Sequence, residues 1–373
     1  MTPQGASSTG ASALFLSPEA PVAGSGGGGL RSASLLEYLR RKYSVEVVGF
    51  DLAPHSKAVP ARIFRNATRL LRGVPPLFDR YSGYEDQLEA RLHGKQLDLG
   101  VIEHFWCASY APLLRRYCKT LVLDLHNIES DLARTHARAA HWAASWASKR
   151  FAEAYERLER EWIPQFDIAL VTSEEDARRV SHPRVVVYPN ALPVIPSPSV
   201  AEENCIVFSG NLEYHPNMEA VRWFRAAIWP RIRERAPGLE WRLVGKNPEA
   251  VARWTSGDDR IRVVGPVEDA VAEIGRARVA VVPLLSGSGT RFKILEAWAA
   301  NRAVVSTSIG AAGLGAIDGE YLLIRDGTED FADAVEGLLE DDARREGLGR
   351  AGRELYLERF TWPVAWKALE GYL

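Results

Sequence analysis

VAVVPLLSGSGTRFKILEAWAANRAVVSTSIGAAGL, residues Val279 to Leu314, decides how the rest of the chain is read. Its opening, Val279–Leu285, is a compact apolar run of the kind that a strand buried on both faces requires. A tight Ser-Gly-Ser-Gly-Thr turn follows, and a helix is expected to start near Thr290 with Leu295, Trp298 and Ala299 turned inward. Ala303–Thr307 reads as a second buried strand, closed by a loop at Gly310 and Gly313. Strand, glycine loop, helix, strand is one half of a phosphate-binding α/β unit. Gly287 and Gly289 let backbone N–H groups approach a ligand, and the new helix points its positive end at the same place. Ser288 and Thr290 complete that turn. Arg291 and Lys293 add two cations at the helix start, where they oppose the macrodipole unless a dianion binds there. Glu296, further along, is a carboxylate suited to accept hydrogen bonds from paired sugar hydroxyls.

These residues resemble the donor site of the group 1 (family 4) retaining glycosyltransferases. In that family a first Glu, seven intervening residues and a second Glu span this loop and helix. Here the second Glu is Glu296, and Ser288 stands at the first position, which leaves the first carboxylate's role vacant. The resemblance implies the GT-B fold: two Rossmann-like α/β domains whose parallel sheets face a central cleft, with a C-terminal helix crossing back to the first domain.

Length and composition agree with a two-domain enzyme. The chain has 373 residues, more than one hydrophobic core usually organises. Hydrophobic residues make up 46% and charged residues 25%, ordinary for a globular protein. A net charge of −2 argues against a dedicated nucleic-acid binder. Three cysteines, Cys107, Cys118 and Cys205, share no metal-ligand spacing and are too few for a disulfide framework, so a reducing cytoplasm is expected. No Lys or Arg precedes Leu14–Leu16, so no signal peptide is expected, and no apolar run reaches the ~20 residues that span a bilayer.

In order, Ala11–Leu16 reads as a strand, Gly24–Gly29 as a glycine loop, Arg31–Lys42 as a helix and Val45–Phe50 as a strand. Leu97–Glu103 and Thr120–Leu125 alternate with helices as βαβ units require. Asp131–Phe166 reads as mostly helical, and Ile168–Thr172 and Val185–Tyr188 as short strands. Prolines crowd Pro189–Ser199, the expected linker. Residues 1–188 are thus expected to form an acceptor-side domain and 201–358 the donor-binding domain, with 189–200 between them. Residues 359–373 would be the returning helix. The second domain opens with the strand Cys205–Phe208, the helix Met218–Arg235 and the strands Glu240–Val244 and Ile261–Val264.

Gly24–Gly29 satisfies G-x-G-x-x-G, and Asp51 ends the next strand, close to the dinucleotide-binding fingerprint. Pro18 and Pro21 intervene between strand and glycines, however, which favours the glycosyltransferase's first loop, with Gly28 and Gly29 on the donor's phosphates. His126 directly follows a buried strand, at the end where α/β sheets bind ligands. The resemblance implies that it contacts the donor sugar, and helix capping is the structural alternative. Asp124 and Glu129 share its loop, and either could face the acceptor.

Gly210 and Asn211 stand where many family members have a phosphate-gripping Arg, and Asn217 follows where a Lys is common. Arg291 and Lys293 are then the cations left for the diphosphate. The resemblance places the base near Gly265. Arg62, Arg65, Arg69 and Arg72 recur at helical spacing, a basic face for an anionic membrane or acceptor, or simply a solvated one. No D-x-D triplet occurs, which agrees with a site needing no metal ion.

The expected activity is metal-independent transfer of a sugar, with retention, from a nucleotide-diphosphate sugar to a hydroxyl of a glycan, lipid-linked or small-molecule acceptor. His126, Arg291 and Lys293 would act on the reacting groups, and no cofactor is implied. The rival readings are a nicotinamide-dependent oxidoreductase using Gly24–Gly29, and a catalytically silent glycan-binding protein.

Overall fold

Short apolar runs alternating with helices build two wholly parallel sheets. A computed structural model describes residues 10–19, 21, 27–52, 58–139, 142–287 and 292–373. The chain divides into two compact units, Met1–Pro189 with Trp366–Leu373, and Asn190–Ala365.

The first unit's sheet contains β1 (Ser12–Leu16), β2 (Ser44–Val48), β3 (Leu97–Glu103), β4 (Cys118–Asp124), β5 (Ile168–Val171) and β6 (Val185–Val187), in the order β2-β1-β3-β4-β5-β6. Phe15, Val101, Ile102, Leu121 and Val122 are fully buried, as strands covered by helices on both faces require. Between β1 and β2 runs the helix Gly27–Arg40, which buries Leu35, Leu36 and Leu39. The order reverses between β1 and β3, so the loops leaving those strands diverge and open a crevice at their carboxyl ends.

The second sheet contains β7 (Cys205–Ser209), β8 (Glu240–Val244), β9 (Ile261–Val264), β10 (Val279–Val282), β11 (Ala303–Ser306) and β12 (Leu323–Ile324), in the order β12-β11-β10-β7-β8-β9. Here the reversal falls between β7 and β10, and β10 is the strand that opens the decisive sequence stretch. From Phe292 to Ala299 that stretch is helical, with Leu295, Trp298 and Ala299 fully buried as its spacing predicts.

Residues 190–199 are tied down within the second unit: the Tyr356 hydroxyl donates to Pro193 O at 2.5 Å, Arg353 Nη2 donates to Ile195 O at 3.1 Å, and Leu192 pairs with Thr361. An 18-residue helix, Asp342–Arg359, is absent from the sequence reading. Its Gly349 and Gly352 permit close packing. A Cβ on Gly352 would lie 2.2 Å from Trp298 Cδ1, and one on Gly349 2.6 Å from Asn301 O.

Candidate functional site

In the second unit, β7 ends in Ser209, and Gly210 turns the chain with φ 138°. The loop after β8 comes so close that a Cβ on Gly245 would sit 1.8 Å from Gly210 O, so both positions need glycine. Lys293 reaches this corner from the helix Phe292–Ala299. Its Nζ donates to Asn217 Oδ1 at 2.7 Å and lies 4.0 Å from the centre of the Phe208 ring. Asn217 in turn donates through Nδ2 to Asn211 O at 2.7 Å. Glu296, one helical turn beyond Lys293, accepts from Ser209 Oγ at 3.3 Å. Burial pushes its carboxyl up to about 7, although Lys293 and Ser209 pull the other way. A cation and a carboxylate that ionises near neutrality therefore stand together at the strand-order reversal, where an open α/β sheet binds its ligand.

The expected donor residues do not all converge there. Lys293, Glu296 and Gly210 do. The Asn211 side chain is taken up by two loops, accepting from Glu213 N in its own and from Asn247 Nδ2 in the loop after β8. Gly265 follows β9, two strands away from β7, and open space surrounds the place of a Cβ. Gly287 has φ 120°, and next to it Ser286 donates to Glu219 Oε2 at 2.8 Å. Ser288, Gly289, Thr290 and Arg291 lie outside the described residues.

In the first unit, His126 sits among charges that the sequence reading only partly named. Nε2 is 2.8 Å from Glu103 Oε2 and 3.3 Å from Asp124 Oδ2. Asp124 receives the Arg31 guanidinium in a two-pronged pair, Nε to Oδ2 at 2.9 Å and Nη2 to Oδ1 at 2.5 Å, and both side chains are buried. Arg31 also donates to Tyr188 O and covers the Tyr188 ring. Glu103 accepts a further bond from Ser32 Oγ. Burial alone would lower His126, but Glu103 and Asp124 raise it to about 9. Asp124, despite burial, is held far below the carboxylate range by Arg31. Burial holds Glu103 above that range, against the pull of His126.

His104, at the end of β3 with φ 64°, lies between Trp106 and His126, its ring centre 4.3 Å from one and 3.6 Å from the other. Burial and the charge on His126 keep it neutral. A Cβ on Gly28 would be 3.7 Å from His126 Nδ1, so Gly28 does face this cluster, and Gly29 is buried beside it. Donor atoms of Glu103, His104 and His126 lie within 4.8 Å of one another. The two imidazoles nevertheless stack at 29°, so their lone pairs run side by side rather than converging as a metal cage needs.

Of the two acidic neighbours of His126 that the sequence left open, Asp124 belongs to the Arg31 pair. Glu129 accepts from Trp106 Nε1 at 3.0 Å, and burial raises it to about 8. Asp51 is exposed just past the edge strand β2, where Gln87 and Arg91 pair with it. Gly24, Ser25 and Gly26 lie outside the described residues. The arginine helix runs Val59–Arg72, and its basic side is divided: Arg62 and Arg72 are exposed, while Arg65 is half-buried. Arg69 is buried against Asp79, which Arg72 also reaches, while Ile63, Phe64 and Leu71 are 62%, 74% and 90% exposed.

Residues 203–341 match the sequence profile of a family described as "Glycosyl transferases group 1". They are a group 1 glycosyltransferase domain. The stretch contains Gly210, Asn217, Lys293 and Glu296 in full. A phosphatidyl-myo-inositol mannosyltransferase from Mycolicibacterium smegmatis is 32% identical over 145 residues, covering 37% of each chain. The match thus spans a little over a third of that relative's length. A sucrose-phosphate synthase from Thermosynechococcus elongatus superposes with a TM-score of 0.72 at 19% identity, covering 95% of this chain and 97% of that one. A UDP-forming α,α-trehalose-phosphate synthase from Burkholderia xenovorans, solved with glucose-6-phosphate, gives 0.63 at 13% identity, covering 95% and 98%. These likenesses establish the GT-B fold. Nothing in them favours the oxidoreductase reading.

Proposed function

We propose that this chain is a retaining glycosyltransferase that moves a sugar from a nucleotide-diphosphate donor to an acceptor hydroxyl without a metal ion. The observation that carries the reading is that Lys293, held by Asn217, and Glu296, held by Ser209, stand one helical turn apart at the β7–β10 reversal, within the residues that match the glycosyltransferase profile. Glu296 would accept the ribose hydroxyls. Lys293, fixed by Asn217, would hold the diphosphate together with Arg291 and the N–H groups of the glycine turn. His126, charged at neutral pH, would donate to the transferred sugar. Among the described residues no side chain offers itself as a nucleophile, so departure of the diphosphate and attack of the acceptor on the same face of the sugar is the mechanism that fits. The test is turnover of a sugar-nucleotide panel after exhaustive chelation, with the product anomer read by NMR. Retention at undiminished rate is expected. Inversion, or a collapse that magnesium or manganese restores, would overturn the mechanism.

Peripheral membrane contact belongs to the same reading, but through the apolar side of the helix Val59–Arg72. Ile63, Phe64 and Leu71 share one arc, the exposed Arg62 and Arg72 flank it, and the helix carries no acidic residue. An anionic lipid surface complements that arrangement: insertion stabilises by about 2 kcal/mol per apolar side chain and about 1 kcal/mol per cation. Flotation with phosphatidylglycerol-containing vesicles should recover the protein, and a Phe64→Ser, Leu71→Ser variant should stay behind. If those changes instead split a dimer in light scattering, a second copy covers the face and the lipid assignment fails.

A further inference from the structure

Two carboxylates hold His126 by the same nitrogen. Nε2 faces both Glu103 Oε2 and Asp124 Oδ2, and each carboxylate is anchored from the helix Gly27–Arg40, Glu103 by Ser32 and Asp124 by Arg31. Nδ1 points instead toward Gly28. A proton on Nε2 therefore has two anionic acceptors, so the proton that the ring gives up first is the one on Nδ1.

We propose that Glu103 is a positioning residue for the transfer reaction: it fixes the His126 ring and tautomer so that Nδ1–H is presented as a donor on the Gly28 side. The inference rests on the glycosyltransferase reading, in which that donor meets a sugar hydroxyl or the charge developing on the leaving group. The stack of Trp106, His104 and His126 locks the ring plane, and His104, being neutral, adds no competing charge. Glu103 Oε1 is buried and has no partner among the described residues, so this carboxylate stays inside the fold for its hold on His126 and Ser32 alone. That is an expensive placement for a purely structural acid.

The titratable and charged groups facing His126 are Glu103 and the neutral His104 from the end of β3, Asp124 from β4, Arg31 from the helix Gly27–Arg40 and Glu129 from the helix Glu129–Ala139. With both carboxylates charged the imidazolium persists to about 9. Removing the Glu103 charge lowers that by about one unit or more. Above the new value Nδ1 changes from donor to acceptor, and the hydrogen bond to a hydroxyl or an anionic oxygen reverses or fails.

Glu103→Gln keeps the side chain's shape and removes its charge. The alkaline limb of kcat should move at least one pH unit toward acid while KM for the donor stays within about twofold, and Glu103→Asp should return the limb toward wild type. An unshifted limb would overturn the proposal, including one that accompanies a uniform loss of rate and a lower melting temperature. The second measurement needs no substrate. In ring-labelled protein, with His126→Asn for assignment, the His126 signal should remain that of an imidazolium through pH 8, and a neutral ring at pH 7 would overturn the proposal. A persistent imidazolium in a protein that turns over no sugar nucleotide would strike the transferase reading instead, and leave the hold on His126 intact.

Discussion

Glu296→Gln should stabilise the protein and weaken it as a binder at the same time. The carboxyl ionises at about 7 in the folded chain because burial opposes its charge. In the unfolded chain it ionises near 4.5. Below that pH it is neutral in both states and contributes no penalty. As pH rises, the unfolded state releases its proton first, and the folded state is penalised increasingly until pH passes about 7. Converted directly, the difference is on the order of 3 kcal/mol at pH 8. The side chain retains some solvent contact, so about 2 kcal/mol is the working figure.

For a unit of this size that corresponds to a rise in Tm of roughly 4–8 °C at pH 8, shrinking toward zero at pH 4.5. Calorimetry at the two pH values reads it. In the same variant, titration with free nucleoside diphosphates should show about 1–3 kcal/mol of lost affinity, because ribose hydroxyls face an amide that accepts only through its oxygen. A variant that melts at or below wild type at pH 8 would refute the penalty. One that binds as wild type would remove Glu296 from the donor site.

Asp124→Asn leaves the buried Arg31 guanidinium without its counter-charge and should destabilise the first unit by about 3–5 kcal/mol, read as a lowered first transition in calorimetry. His126→Ala should lower kcat by about 10²-fold or more while the affinity for free nucleoside diphosphate stays near wild type, as paired kinetics and calorimetry will show. Unchanged kcat with a lower Tm would return His126 to helix capping. Gly245→Ala should lower Tm by several degrees and nucleotide affinity with it, since its Cβ would overlap Gly210 O, and full stability would contradict the close approach.

The second unit was the more legible half of the sequence. Periodicity placed β10, β11 and the inward-facing Leu295 and Trp298 correctly, because buried parallel strands and a helix on a glycine turn leave strong local patterns. The helix Asp342–Arg359 left no such pattern. Gly347, Gly349 and Gly352 lower its helical propensity, and two of them serve packing against Trp298 and Asn301, which sequence alone does not reveal. At His126 the strand end was visible, but its partner Glu103 comes from another strand, and the residues that anchor its two carboxylates, Arg31 and Ser32, come from the helix Gly27–Arg40. One signal was available: Glu103 and His104 end a strand adjacent to a possible reversal, and charged residues there warrant notice. On the arginine helix, spacing shows that four cations share a side, but not that Arg69 turns in against Asp79 while Arg62 and Arg72 stay exposed.

The last eight residues belong to the first unit although the preceding 176 do not, counting Asn190 through Ala365. Trp366 donates to Ser34 O and Oγ and lies under the Arg41 guanidinium, and Lys42 Nζ reaches Leu373 O at 2.6 Å. The backbone therefore passes from one unit to the other twice. A single recombination point after Pro189 would trade the second unit together with a foreign anchor for Ser34 and Lys42. Exchange of specificity between relatives by shuffling thus requires two crossovers, or a matched pair of complementary changes at both ends of the chain.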